Sequence, residues 1–134
     1  MRTKKILAAL AMSAAIAASA CGLAAAAEKI DGYIKVTPQE AMKIMEYGHQ
    51  PYVILDVRRL DEYNKGHVPG AIVIQHDVVG EKLPEILPDR NTTVFVYCRS
   101  GKRAETACKA LVEAGYINVL HMGGILGWPY TQAK

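Results

Sequence analysis

A thiol stands at Cys98, at the end of the apolar run Val94-Phe95-Val96-Tyr97, and Arg99-Ser100-Gly101-Lys102-Arg103 follows it at once. An isolated cysteine in apolar surroundings is ordinarily a small buried hydrophobe. The residues that follow change that reading. Gly101 permits the positive φ that a tight loop needs to turn its N–H groups inward. Inward N–H groups form an anion nest, and a helix starting just beyond adds the partial positive charge of its N-terminus. Arg99, Lys102 and Arg103 contribute full charges. These are the terms that favour a thiolate, so Cys98 is a candidate nucleophile for covalent catalysis.

The surrounding pattern supplies elements that would position this loop. Thr37-Pro38-Gln39-Glu40 predicts a helix start, with Thr37 as cap, Pro38 in the first turn and Glu40 completing a capping box. Ala41, Ile44 and Met45 share one face, and Gly48 marks a stop. Tyr52 to Val57 predicts a strand covered on both faces. Leu60 to Asn64 suits a short helix ending at Gly66, and Ile72 to Ile74 a short strand. Glu81 to Leu87 holds at most a turn of helix, broken by Pro84 and Pro88, before the turn at Pro88 to Asn91. Thr93 to Tyr97 predicts the next buried strand. From Ala104 a helix follows, with Ala104, Ala107, Cys108, Leu111 and Val112 on one face and Gly115 as its stop. Ile117 to His121 reads as a last strand before Gly123-Gly124. Strands alternating with helices predict an α/β domain with a mainly parallel sheet and helices on both faces. Ligands of such sheets sit beyond the carboxyl ends of the strands, where Cys98 and Asp56 both fall.

Asp56 ends a buried strand, where a carboxylate is costly without a partner. It either helps to set the loop and its cations or serves a local ion-pair or capping role. Arg58 and Glu62 are four residues apart and would by default form a surface pair; Arg58 facing the site is the alternative. His49, His67, His76 and His121 show no metal-ligand spacing, and Cys98 with Cys108 is no zinc pattern, so no metal is expected. Cys108 lies on the apolar face of its helix and reads as core, without a bond to Cys98.

Four blocks in this order resemble the single-domain rhodaneses, which are thiosulfate sulfurtransferases. They are Ile54-Leu55-Asp56-Val57-Arg58; Glu62-Tyr63 with Gly66-His67-Val68-Pro69-Gly70-Ala71; Cys98 to Arg103; and Gly123-Gly124 with Trp128. The resemblance runs from about Ile34 to Trp128 and implies a three-layer rhodanese-like fold. It implies that Cys98 takes the outer sulfur of thiosulfate as a persulfide and passes it to cyanide or a thiol, with no cofactor. Arg99, Lys102 and Arg103 would orient the donor and Ser100 would hydrogen-bond to it, while Asp56 and Arg58 are secondary candidates. The reading of His67 is structural and that of Trp128 a packing anchor. Val73 and Gln75 depart from the Asn and Pro that the family often places there. Cysteine phosphatases and the related arsenate reductases use a loop one residue longer between Cys and Arg, so the shorter ring here favours sulfur over phosphate. A different class of function, a carrier or redox partner that hands sulfur to a specific protein, would use the same loop. A catalytically dead interaction module would usually lack the Cys.

The N-terminus has the layout of a secretory signal peptide over residues 1–27: Arg2, Lys4 and Lys5, then an Ala-rich run from Ile6 to Ile16, then small residues at Ala24 to Ala27. Ala18-Ser19-Ala20-Cys21 is an alternative, lipoprotein-like processing site, which would tether the domain through Cys21. Within the fold-forming part, residues 28–134, a single domain is expected, and the exported protein would be periplasmic, lipid-anchored or extracellular. In sum the chain has 16 Lys and Arg against 13 Asp and Glu. The signal segment carries three of those bases and no acid, so the remainder is balanced, and charge gives no reason to expect a nucleic-acid or acidic-membrane partner. The partners expected are a small anionic sulfur donor and a cyanide, thiol or protein acceptor.

Overall fold

The structure, a computed structural model, describes residues 29–134. The expected signal segment, Cys21 included, lies outside them.

Six strands form one sheet in the order β1-β2-β6-β5-β3-β4. They are β1 (Lys29–Ile30), β2 (Tyr33–Lys35), β3 (Tyr52–Asp56), β4 (Ile72–Val73), β5 (Thr93–Cys98) and β6 (Val119–Gly124). Among the described strands β1 alone runs antiparallel to its neighbour, and the other strand pairs of the sheet are parallel. The helices are α1 (Pro38–Tyr47), α2 (Leu60–Lys65), α3 (Val79–Ile86) and α4 (Lys102–Glu113), with a single 3₁₀ turn at Ile125–Gly127.

Strand alternation sends the central residues to two cores. Val94, Val96 and Cys98 of β5 join Leu55, Val57 and Val119 beneath α3 and α4, which contribute Val79, Leu83, Ala104, Ala107, Cys108 and Leu111. Phe95 and Tyr97 face the other way, against Ile54, Leu120, Met122, Ala41 of α1, and Trp128. Burial on both faces explains why β5 reads as an unbroken apolar run rather than an alternating one. The capping box of α1 forms as the sequence predicts: the Glu40 N–H donates to Thr37 Oγ1 at 3.0 Å, and the Thr37 N–H to Glu40 Oε1 at 2.8 Å.

Most element ends fall within a residue of the expectations, and four features depart further. The β1–β2 hairpin was not anticipated, although its Asp31-Gly32 turn, with φ of 55° and 89°, is a standard hairpin signal. Pro84 does not break α3, which runs through it. The helix is two turns long, so the missing N–H removes a single bond, and Val79 and Leu83, both ahead of the proline, are fully buried. The last strand runs from Val119 to Gly124 rather than from Ile117, which is 52% exposed, to His121, so it includes the glycine pair. Finally, α4 begins at Lys102, so Lys102 and Arg103 belong to its first turn.

Because Leu111 closes the α4 side of the core with no exposed surface, Leu111→Ala is expected to cost about 2–5 kcal/mol. Urea denaturation should show that loss as a lower midpoint at an unchanged slope.

Candidate active site

Cys98 ends β5 at the middle of the sheet and is 1% exposed. Between Val96 and Cys98 the register against β6 shifts, and Cys98 comes to pair with Gly124. The extra residue lies on β6, between His121 and Gly124. The Gly101 N–H donates to Cys98 Sγ at 2.9 Å. Gly101 is the N-cap of α4 at φ 108°, ψ −13°, and no side chain caps the helix. Its opening N–H groups are therefore free of a side-chain acceptor, beside the sulfur.

The loop rests on the end of β6. A Cβ on Gly124 would lie 2.1 Å from Arg99 O and 2.7 Å from Ser100 Cα, so only glycine lets the two backbones approach this closely. Arg99 O accepts from the Leu126 N–H. His121 makes a further link: its Nε2 is 2.9 Å from Gly101 O, and its Nδ1 accepts from the Gly123 N–H at 3.0 Å. Metal-ligand spacing, the test that a histidine pattern invites, does not reveal this role of His121. A polar ring inside a buried strand, next to a glycine pair, was the available signal. Burial pushes the His121 imidazole below its ordinary value, outweighing the bond to Gly101.

The cations fall into two groups. Arg99 and Lys102 are exposed at the loop, as is Ser100. Arg103 instead turns to α2, where its Nη1 and Nη2 donate to the two oxygens of Glu62 at 2.8 and 3.0 Å. The Arg59 N–H also donates to Glu62. Arg103 beside it holds the Glu62 carboxyl down at about 2, against the opposing effect of partial burial. Glu62 is thus the partner of Arg103, and the expected Arg58–Glu62 surface pair does not form.

Arg58 is 5% exposed and folds back on Asp56, itself fully buried. Nε and Nη2 of Arg58 donate to the carboxylate at 2.9 and 2.6 Å, and the Arg58 N–H caps Oδ1 at 3.0 Å. Tyr97 Oη donates to Oδ2 at 2.6 Å and accepts from the Val68 N–H at 3.0 Å. Arg58 Nη2 also donates to Gly66 O at 2.7 Å. Among the described residues neither Asp56 nor Arg58 bonds to residues 98–103. Arg58 does not face the site mouth. The pair ties the end of β3 to the end of α2, and α2 in turn holds Arg103.

Cys108 is buried in the core, as expected, and burial pushes its thiol up. Cys98 and Cys108 are both free thiols. His67 stacks on Tyr63 at 3.7 Å between centroids, with Nδ1 2.9 Å from Tyr63 O, and its backbone pairs with Ala133. Trp128 packs in the second core. A cavity of about 350 Å³ borders the loop, lined by Lys35, Ser100, Gly101, Lys102, Glu105 and His121. A more apolar groove of about 370 Å³, between Met42, Met45, Tyr52 and Trp128, includes no loop residue.

Residues 37–129 match the family model of the rhodanese-like domain. Thiosulfate sulfurtransferase PspE of Escherichia coli K12 is 41% identical over 71 residues, which cover 53% of this chain and 68% of that protein. A sulfurtransferase of Allochromatium vinosum is 36% identical over 77 residues, covering 57% of this chain and 70% of that protein. Among solved structures, a rhodanese with anions from E. coli superposes with a TM-score of 0.59 at 36% identity, covering 62% of this chain and 98% of that one.

Removing Arg58 leaves a buried, unpaired carboxylate at Asp56. Arg58→Met is therefore expected to destabilise the fold by about 3–5 kcal/mol. The double change Arg58→Met with Asp56→Leu, which removes both charges, should recover a substantial part of that loss in the same denaturation measurement.

Proposed function

The chain belongs to the rhodanese-like domain family, and from that premise we propose that it is a sulfurtransferase working through a persulfide on Cys98. The donor is thiosulfate or a related small sulfur anion, and the acceptor is cyanide or a thiol. The Cys98 thiolate attacks the outer sulfur of thiosulfate. A new S–S bond forms, the old one breaks, and sulfite leaves with the bonding pair. The terminal persulfide sulfur then carries the negative charge. Cyanide attacks that sulfur, thiocyanate departs, and the thiolate is regenerated.

The observation that carries this reading is the 2.9 Å bond from the Gly101 N–H to Cys98 Sγ at the uncapped start of α4. Donors fixed by the backbone stabilise developing charge without reorganising during the reaction. Arg99 and Lys102, both exposed, attract the dianion. Arg103 has its charge partly satisfied by Glu62, so its role is to hold the first turn of α4 against α2. With 1% of Cys98 exposed, the entrance favours a compact donor over a bulky one. The basic start and Ala-rich run of residues 1–27 support a protein exported before it acts.

The test is thiocyanate formation from thiosulfate and cyanide by the purified protein. The wild type should turn over, and Cys98→Ser should lose at least about a thousandfold, since the nucleophile is gone. An inactive wild type, or a Ser variant of equal activity, would refute the proposal. Steady hydrolysis of an aryl phosphate without comparable thiocyanate formation would move the site to phosphoryl chemistry.

A further inference from the structure

His121 is 7% exposed, on the same face of the sheet as Cys98, and it is bonded at both ring nitrogens. A backbone amide can only donate and a carbonyl can only accept. The Gly123 N–H therefore makes Nδ1 the acceptor, and Gly101 O makes Nε2 the donor. One state satisfies both, the neutral ring with its proton on Nε2. An imidazolium would set a second N–H against that of Gly123, and that bond would be lost.

Gly101 O is the point where this ring meets the site. It accepts from His121 Nε2 at 2.9 Å and from the Glu105 N–H at 3.2 Å. In a trans peptide the C=O and N–H point in opposite directions. A carbonyl held by His121 and by the first turn of α4 therefore sends the Lys102 N–H out of the helix start. The preceding peptide supplies the Gly101 N–H, which meets Sγ. The relative aim of these two donors is set by φ and ψ at Gly101, a residue in the left-handed region that has no side chain of its own to fix it. The imidazole also backs the loop directly: a Cβ on Gly101 would lie 3.4 Å from His121 Cε1.

We propose that His121 is a positioning residue for sulfur transfer, its neutral ring clamping the Gly101 peptide that aims the loop's donors at sulfur, and that protonating the ring releases the clamp. This rests on the reading of Cys98 as the sulfur-carrying atom. The groups around the ring are Lys35 on β2, its partner in the ladder; Tyr33 on β2, stacked at 6.0 Å; and Lys102 and Glu105 on α4, which line the same cavity. Lys35 opposes the imidazolium and Glu105 favours it, while burial is the larger effect and pushes the ring below 6.5. The folded value lies below the ordinary one, so the neutral clamp contributes fully above about pH 6.5 and is lost as pH falls through the folded value.

Two readouts on the purified protein decide this. In the first, the acid limb of thiocyanate formation is compared in wild type, His121→Gln and His121→Leu. Leu removes both bonds and should lower kcat/KM about tenfold or more at neutral pH. Gln keeps a non-titrating donor at the Nε2 position, so it should recover part of that loss and flatten the acid limb. In the second, the Gly101 and Gly123 amide resonances of the wild type are followed against pH beside the His121 ring signals. They should move together, with one midpoint below 6.5. An acid limb unchanged in His121→Gln, or glycine amides indifferent to the ring's titration, would overturn the proposal. Absence of sulfur transfer in the wild type would defeat the sulfurtransferase reading instead, and the amide titration would still decide whether the ring holds the loop.

Discussion

The site depends on one hydrogen bond, from the Gly101 N–H to Cys98 Sγ. For that amide to point inward, residue 101 must hold φ near 108°, a region that residues with a Cβ rarely adopt. The loop must also lie close enough to β6 to be braced, which requires the missing Cβ at Gly124. Both glycines therefore answer to a single geometric demand. The register shift between β5 and β6 falls at the same contact: from Val96 to Cys98 is two steps, while from His121 to Gly124 is three, so the extra residue lies on β6 just ahead of Gly124.

Charge is organised around the same point, at some local expense. Basic residues in the first turn of a helix oppose its dipole, yet Lys102 and Arg103 open α4. Glu62 offsets one of them through a bidentate pair, and α2, which carries Glu62, is anchored in turn by the Asp56–Arg58–Tyr97 network through Gly66 and Val68. The sequence thus breaks a helix rule at the mouth of the site and sets a supporting network behind it, as the proposed anionic donor would require.

The fold was legible because its signals are periodic or local. The capping box at Thr37, the four-residue rhythm from Ala104 to Leu111 and the apolar run into Cys98 each depend on neighbours in the chain. What escaped depends on partners far away in sequence. Asp56 reads as a carboxylate needing a partner, but helical spacing pairs Arg58, two residues on, with Glu62. In the structure Glu62 reaches Arg103, forty-one positions later. The polar ring of His121 in a buried strand is a local signal, but its partner Gly101 lies twenty positions away, so the bond itself is not legible in the sequence. The Asp31-Gly32 hairpin is different: its signal is local, a two-residue turn with positive φ at both positions.

The central claim is that Cys98 Sγ, held by the Gly101 amide, receives and keeps a sulfur atom. The most direct measurement is the intact mass of the protein after exposure to thiosulfate alone, with the modified peptide then identified. A gain of one sulfur atom on the peptide bearing Cys98, accompanied by sulfite and removed by cyanide, is the predicted result. An unchanged mass, or a sulfur located on Cys108, would contradict it.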